Sequence, residues 1–168
     1  MATLCRRPGT RHMLPGEPLT ALRAVVQRVS AGRVVVDGDV AGEIGAGLCV
    51  LLGVAGTDNE EDARRLAGRT ARLRIFENAE GKFDRSVLDT RGAVLVVSQF
   101  TLIADSKRQK GTRPDFSKAA RKEVAGPLYE AFVEALREEG IDVQTGVFAA
   151  RMQVELVNDG PVTIIIET

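Results

Sequence analysis

The sequence predicts an α/β protein of the α+β type, mainly antiparallel sheet with two main helices. Three observations predict it. Short apolar or alternating runs, separated by glycine-rich turn signals, fill the stretch from Leu22 to Val54. The apolar period then changes to the helical one in two long windows, Asp58–Arg74 and Val124–Glu139. Alternation with period two returns at Met152–Val157, and an apolar strand closes the chain.

Leu22–Ser30 reads as the first strand and Arg33–Val36 as the second. Asp37-Gly38-Asp39 is a tight-turn signal, so Val40–Ile44 pairs back as a hairpin. Gly45-Ala46-Gly47 is the next turn, and Leu48–Val54 is a continuous apolar strand. In the first helical window Ala63, Leu66, Ala67, Thr70 and Leu73 share one face. Thr57 or Asp58 is the expected cap, with acids in the first turn, where the helix dipole favours them. Arg64, Arg65, Arg69 and Arg72 occupy the other face, which reads as solvated. Ile75-Phe76 and Phe83 flank a turn at Asn78–Gly81.

Ala93–Val97 is an unbroken apolar run, rich in β-branched residues and preceded by Gly92. It reads as a central strand buried on both faces. The run turns polar abruptly at Ser98, Gln99 and Thr101, around Phe100. A rigid buried strand ending in hydroxyls, an amide and an aromatic is a good place to hold a reacting group. An ordinary polar loop after a core strand has the same composition. Asp105–Lys122 is the most basic window: Lys107, Arg108, Lys110, Arg113, Lys118, Arg121 and Lys122 against Asp105 and Asp115. Gly111 and Pro114 mark it as a loop, either solvated or in contact with phosphate. In the second helical window Val124, Leu128, Phe132 and Leu136 recur every four residues, and Gly140 stops the helix. Pro127 belongs in its first turn, where a missing N–H costs little. Met152, Val154 and Leu156 then alternate with Gln153 and Glu155. Asn158-Asp159-Gly160-Pro161 reads as a turn before the strand Val162–Glu167, and its Gly-Pro bond fits either peptide isomer.

The 168-residue chain suits one domain, expected at 22–168, with 1–21 as an extension outside the fold. No apolar run approaches the roughly 20 residues that span a bilayer. The formal net charge is zero, so any nucleic-acid partner must use a local basic patch. Cys5 and Cys49 make no disulfide framework, and Cys49 reads as a buried small hydrophobe in a reducing, cytoplasmic setting. The single histidine, His12, lies in the excluded extension. Ser-His-Asp and Cys-His catalysis, and the usual zinc sites, are therefore close to excluded. An enzyme with this sequence needs another general base, or a substrate that supplies one.

S-Q-F-T-L at Ser98–Leu102 and N-D-G-P-V-T at Asn158–Thr163 together resemble the D-aminoacyl-tRNA deacylase family. Val26–Ser30, Gly42–Gly53, Arg113–Phe116 and Gln144–Met152 support the resemblance, which runs from Leu22 to Thr168. Members of that family begin at a methionine where this chain has Leu22, so the first 21 residues have no counterpart. The resemblance implies a barrel-like core and a cytoplasmic homodimer that uses neither metal nor cofactor. It implies hydrolysis of the ester joining a D-amino acid to the 3′ end of tRNA, and of glycine mischarged on alanine tRNA. Ser98, Gln99, Phe100 and Thr101 become the catalytic set. Gly160 and Pro161 become a cis motif that enters the partner subunit's site and rejects L-amino acids. Two other readings remain at this point: an RNA-binding module without turnover, and a small-molecule esterase using Thr101 with a lysine such as Lys107. A deacylase of relaxed chirality, acting on mischarged L-alanine, fits S-Q-F-T-L less well.

Overall fold

The computed structural model describes residues 21–168, including every side chain except those of residues 106–110. The expected extension therefore lies almost wholly outside the described residues, and His12 and Cys5 with it. Ala21 itself is buried.

The architecture is α+β. Strands β1 (Arg23–Val36), β2 (Asp39–Ile44) and β3 (Gly47–Gly53) are followed by helix α1 (Glu60–Ala71) and the short hairpin β4 (Phe76–Glu77) and β5 (Phe83–Arg85). Next come a single helical turn α2 (Val87–Thr90), the central strand β6 (Ala93–Ser98) and a 3-10 turn at Phe100–Ile103. Strands β7 (Asp105–Lys110) and β8 (Arg113–Asp115), helix α3 (Lys122–Glu138), and strands β9 (Val143–Thr145) and β10 (Gln153–Glu167) complete the chain. The main sheet runs β10-β1-β3-β6-β9, with β2 also paired to β1. Pairing is antiparallel from β10 to β3 and parallel across β3-β6-β9. At Gly42 of β2, a Cβ would lie 2.5 Å from the carbonyl oxygen of Thr145 in β9. That approach draws the sheet into a nearly closed barrel.

Both faces of the central strands are covered. Leu48, Val50, Leu52, Val94 and Val96 pack under α1 and α3 with Leu66, Phe132 and Leu136. Cys49, Leu95 and Val97 point the other way and meet Val29, Val34 and Ile44. This double burial is why β3 and β6 read as unbroken apolar runs. It also pushes the Cys49 thiol up to about 11 by desolvation.

Several local expectations need correction. β1 is one strand that bends through two register irregularities, where the sequence suggested two. The α1 cap is Asn59, in a capping box with Asp62. Asp58 instead accepts from the Leu22 and Ala55 amides at 3.0 and 2.6 Å, tying the residue before β1 to the β3–α1 connection. Arg64 and Arg72 are exposed, yet both reach α3, at Glu138 and Glu139. The window 105–115 forms a hairpin. Pro127 lies inside α3, beyond its first turn, because the helix starts earlier than the apolar period does. β9 and α2 are too short to carry a period.

Residues 158–161 hold the largest difference. They do not reverse the chain. β10 continues through them along β1, with Gln27 opposite Thr163 and Val29 opposite Asn158. Asp159–Val162 thus bulge out against the single residue Arg28.

Candidate active site

The double burial of β6 fixes where its polar end emerges. The Gln99 amide still bonds Leu52 O at 2.7 Å, holding the end of β6 to β3. The backbone then tightens into the 3-10 turn, whose Leu102 N–H bonds Gln99 O at 3.2 Å. Gly53 permits this turn. A Cβ there would lie 2.9 Å from Leu102 Cβ and 3.0 Å from Gln99 O. The first amides of such a turn have no partner within it. Among the described residues, neither the Phe100 nor the Thr101 N–H finds an acceptor.

Beside this turn lies a cavity of about 580 Å³. Ser98, Gln99 and Phe100 form one wall. The start of α3 forms a second, and Phe148, Ala149, Ala150, Met152 and Val154 a third. Tyr129 backs the cavity, its hydroxyl donating to Val96 O at 2.8 Å and its ring 5.6 Å from that of Phe148. Burial raises the Tyr129 pKa, so the phenol stays neutral. Among the described residues, no carboxylate or imidazole lines the cavity. Phe100 is 59% exposed and meets Phe116 edge-on at 5.2 Å, leaving ring surface free.

The structure brings Ser98, Gln99 and Phe100 together and sets Thr101 just outside the lining, where its hydroxyl accepts from the Gln99 side-chain amide. It does not bring Gly160 and Pro161 to the same cavity. They lie on β10 beyond Val154, roughly 20 Å along the strand at about 3.3 Å per residue. The Gly160-Pro161 bond is cis. Asn158 closes the neck of the bulge: its carboxamide accepts from Val162 N–H at 2.8 Å and donates to Val162 O at 3.3 Å. Arg28, only 7% exposed, holds the tip. Its guanidinium donates to Asp159 O at 2.9 Å and Ile75 O at 2.8 Å, and lies 5.5 Å from the Phe83 ring centre.

The sequence profile of the D-Tyr-tRNA(Tyr) deacylase family matches residues 25–167. The chain belongs to that family. This makes it a deacylase, a hydrolase acting on an ester bond. It is 60% identical over 147 residues to the D-aminoacyl-tRNA deacylase of Anaeromyxobacter dehalogenans, covering 88% of this chain and 97% of that one. It is 55% identical to the same-named protein of Thermus aquaticus, again over 147 residues, covering 88% of this chain and 95% of the relative. Among solved structures it resembles the c-Myc DNA unwinding element binding protein, with a TM-score of 0.79 and 41% identity over 87% of this chain and 98% of that one. A probable eukaryotic D-amino acid tRNA deacylase shares the fold, with a TM-score of 0.77 at 19% identity over 89% of this chain and the whole of that one.

Sequence reasoning missed Tyr129, Phe148 and Met152 as cavity walls, and Arg28 as the anchor of the bulge. Phe148, Met152 and Arg28 lie within stretches that carried the resemblance, Gln144–Met152 and Val26–Ser30. Tyr129 carried the only available signal of its own, as the chain's single tyrosine. No helix of the described residues is long and apolar enough to cross a membrane. None of the described His, Cys, Asp and Glu side chains form a group of three or more that would hold a metal ion.

Proposed function

We propose that the cavity takes the 3′-terminal aminoacyl-adenosine of a D-aminoacyl-tRNA and that the chain hydrolyses the ester to free D-amino acid and tRNA. Glycyl-tRNA mischarged on alanine tRNA is a substrate on the same reading, because glycine has no side chain to exclude. One observation carries it: a largely apolar cavity adjoins two backbone amides that are unpaired among the described residues, none of which brings a carboxylate or imidazole to its lining. An aminoacyl ester is already activated. Amides of Phe100 and Thr101 aimed at the developing oxyanion supply the stabilisation. The vicinal ribose hydroxyl of the substrate assists the attacking water, since the cavity offers no base. Ser98 and Gln99 anchor the carbonyl or the adenosine, and Phe100 stacks on the terminal base.

Handedness is judged by the main chain. Gly160 and Pro161 stand too far along β10 to meet their own cavity, which supports delivery to the cavity of a second copy. β10 supports it too: among the described residues it is an edge strand of the sheet, and it exposes Val157 (58%) and Ile165 (62%), so a partner strand has a place to add. A carbonyl wedge held on the side of the Cα hydrogen clashes with an L side chain and passes a D one. A homodimer working in the cytoplasm, where charged tRNA is found, follows from this reading.

The test is release of tyrosine from D-Tyr-tRNA and L-Tyr-tRNA. Rapid release of the D form alone is expected, and equal rates sink the proposal. The Thr101 esterase reading predicts a trapped acyl-Thr101 and loss of activity in Thr101→Ala. Substrate assistance predicts that this variant keeps most of its activity.

A further inference from the structure

Most cations with described side chains have an acidic or carbonyl partner; among the described residues Arg91, Arg113, Arg121, Lys122 and Arg151 have none, and the last three gather at or beside the walls of the cavity. Around α1 and along the outer sheet the pairs are Arg23 and Arg33 with Glu167 and Glu155, Arg64 and Arg72 with the acids ending α3, and Arg65 and Arg74 with Asp62 and Asp84. Arg121 and Lys122 have no acidic or carbonyl partner among the described residues, and both line the cavity mouth. Arg151, equally unpaired, lies between Ala150 and Met152, which line the opposite wall. All three are exposed. Glu123 is the nearest carboxylate in sequence, one position further into α3.

Position sharpens the contrast. Arg121 is the N-terminal flanking residue of α3 and Lys122 its first residue, with no side-chain cap. Cations there oppose the helix dipole, whereas α1 and α2 both begin with a capping box. An unfavourable local choice beside a cavity fits a bound anion that reverses its sign. In a chain of zero net charge, this rim is a local excess of positive charge.

We infer that Arg121, Lys122 and Arg151 form the entrance for the single-stranded 3′ end of the RNA, contacting the phosphodiesters just before the terminal adenosine. The inference rests on the aminoacyl-tRNA reading above and names the residues that hold the strand. These contacts position the strand without reading bases, so they act alike on every tRNA.

The test uses the full chain and uncharged tRNA. Affinity is measured by fluorescence anisotropy between about 50 and 200 mM salt, where each lost single-strand phosphate contact lowers the logarithmic salt slope by roughly 0.7. The triple variant Arg121→Gln/Lys122→Gln/Arg151→Gln is expected to lower the slope by about 2. Arg121→Lys/Lys122→Arg/Arg151→Lys, which keeps the charge, is expected to retain it. Arg91→Asn, at the far end of β6, is the control. A triple variant with the parental slope overturns the inference, whether or not the chain turns substrate over. In turnover, the neutral variant is expected to lose at least about ten-fold more kcat/KM on D-Tyr-tRNA than on D-tyrosyl-adenosine, which has no phosphate. A parent inactive on both would instead sink the hydrolase reading while the salt slope still decides the strand contacts.

Discussion

Arg28 is a long charged side chain kept almost wholly out of water, and its partners explain why. The planar guanidinium bridges two main-chain carbonyls from different elements, Asp159 at the bulge tip and Ile75 before β4. Glu77 and Asp159 carboxylates lie 3.7 and 3.8 Å away, so the charge is balanced. Lysine keeps the charge but not the fork. Arg28→Lys is expected to lose about 1–3 kcal/mol of stability, the cost of leaving a buried carbonyl unpaired, measured by urea unfolding. It should also loosen Asp159-Gly160 and weaken discrimination between D- and L-Tyr-tRNA more than turnover of the D form. Full discrimination with unchanged stability would remove Arg28 from this role. Gly160 is constrained on the same spot: at φ +137° a Cβ would come 2.8 Å from Val162 Cγ2 and 3.2 Å from the guanidinium.

At the scale of elements, the site is a seam between β3, β6 and the 3-10 turn. β6 ends where its hydrogen bonds to β3 end, and the turn must then sit directly on Gly53. Any side chain at 53 lifts the turn and re-aims the Phe100 and Thr101 amides. Gly53→Ala is expected to cut kcat by ten-fold or more, since a lost oxyanion donor costs about 10²–10³. Its unfolding midpoint should fall only modestly, because overpacking of this kind costs about 1–3 kcal/mol. Parallel measurement of kcat and urea midpoint checks this, and a kcat near the parental value would count against the amides. α3 anchors the other wall through Phe132 and Leu136, which are fully buried, so the cavity is held between two rigid supports.

The whole molecule separates the two parts to which we assign function. One chain carries a cavity at the end of β6 and a bulge far along β10, and an isologous dimer across β10 would set each bulge at the other cavity. A doubly tagged heterodimer distinguishes this from action within one chain. One subunit carries Gly160→Ala, and the other a cavity disabled by Ser98→Ala/Gln99→Ala. The sole working cavity then faces an intact bulge only if the bulge comes from the partner. Rejection of L-Tyr-tRNA at the parental level is expected, and its hydrolysis would mean that the bulge acts within its own chain.

The sequence by itself determined the α+β class, the doubly buried central strand, the face of α1, the face of α3 from Leu128 on (Val124, expected on it, is exposed), and the stretch Ser98–Phe100 that lines the cavity. These follow from short-range chemistry: period, β-branching, turn residues and an abrupt loss of hydrophobicity. Only the tertiary structure decided that Asp159–Val162 form a bulge in a continuous strand, because turn residues look the same whether or not the chain reverses. Whether it does depends on β1 pairing on both sides of Arg28. The third wall of the cavity and the unpaired state of Arg121, Lys122 and Arg151 were equally hidden. Both depend on which residues, distant in sequence, the barrel brings alongside, and no local pattern encodes that.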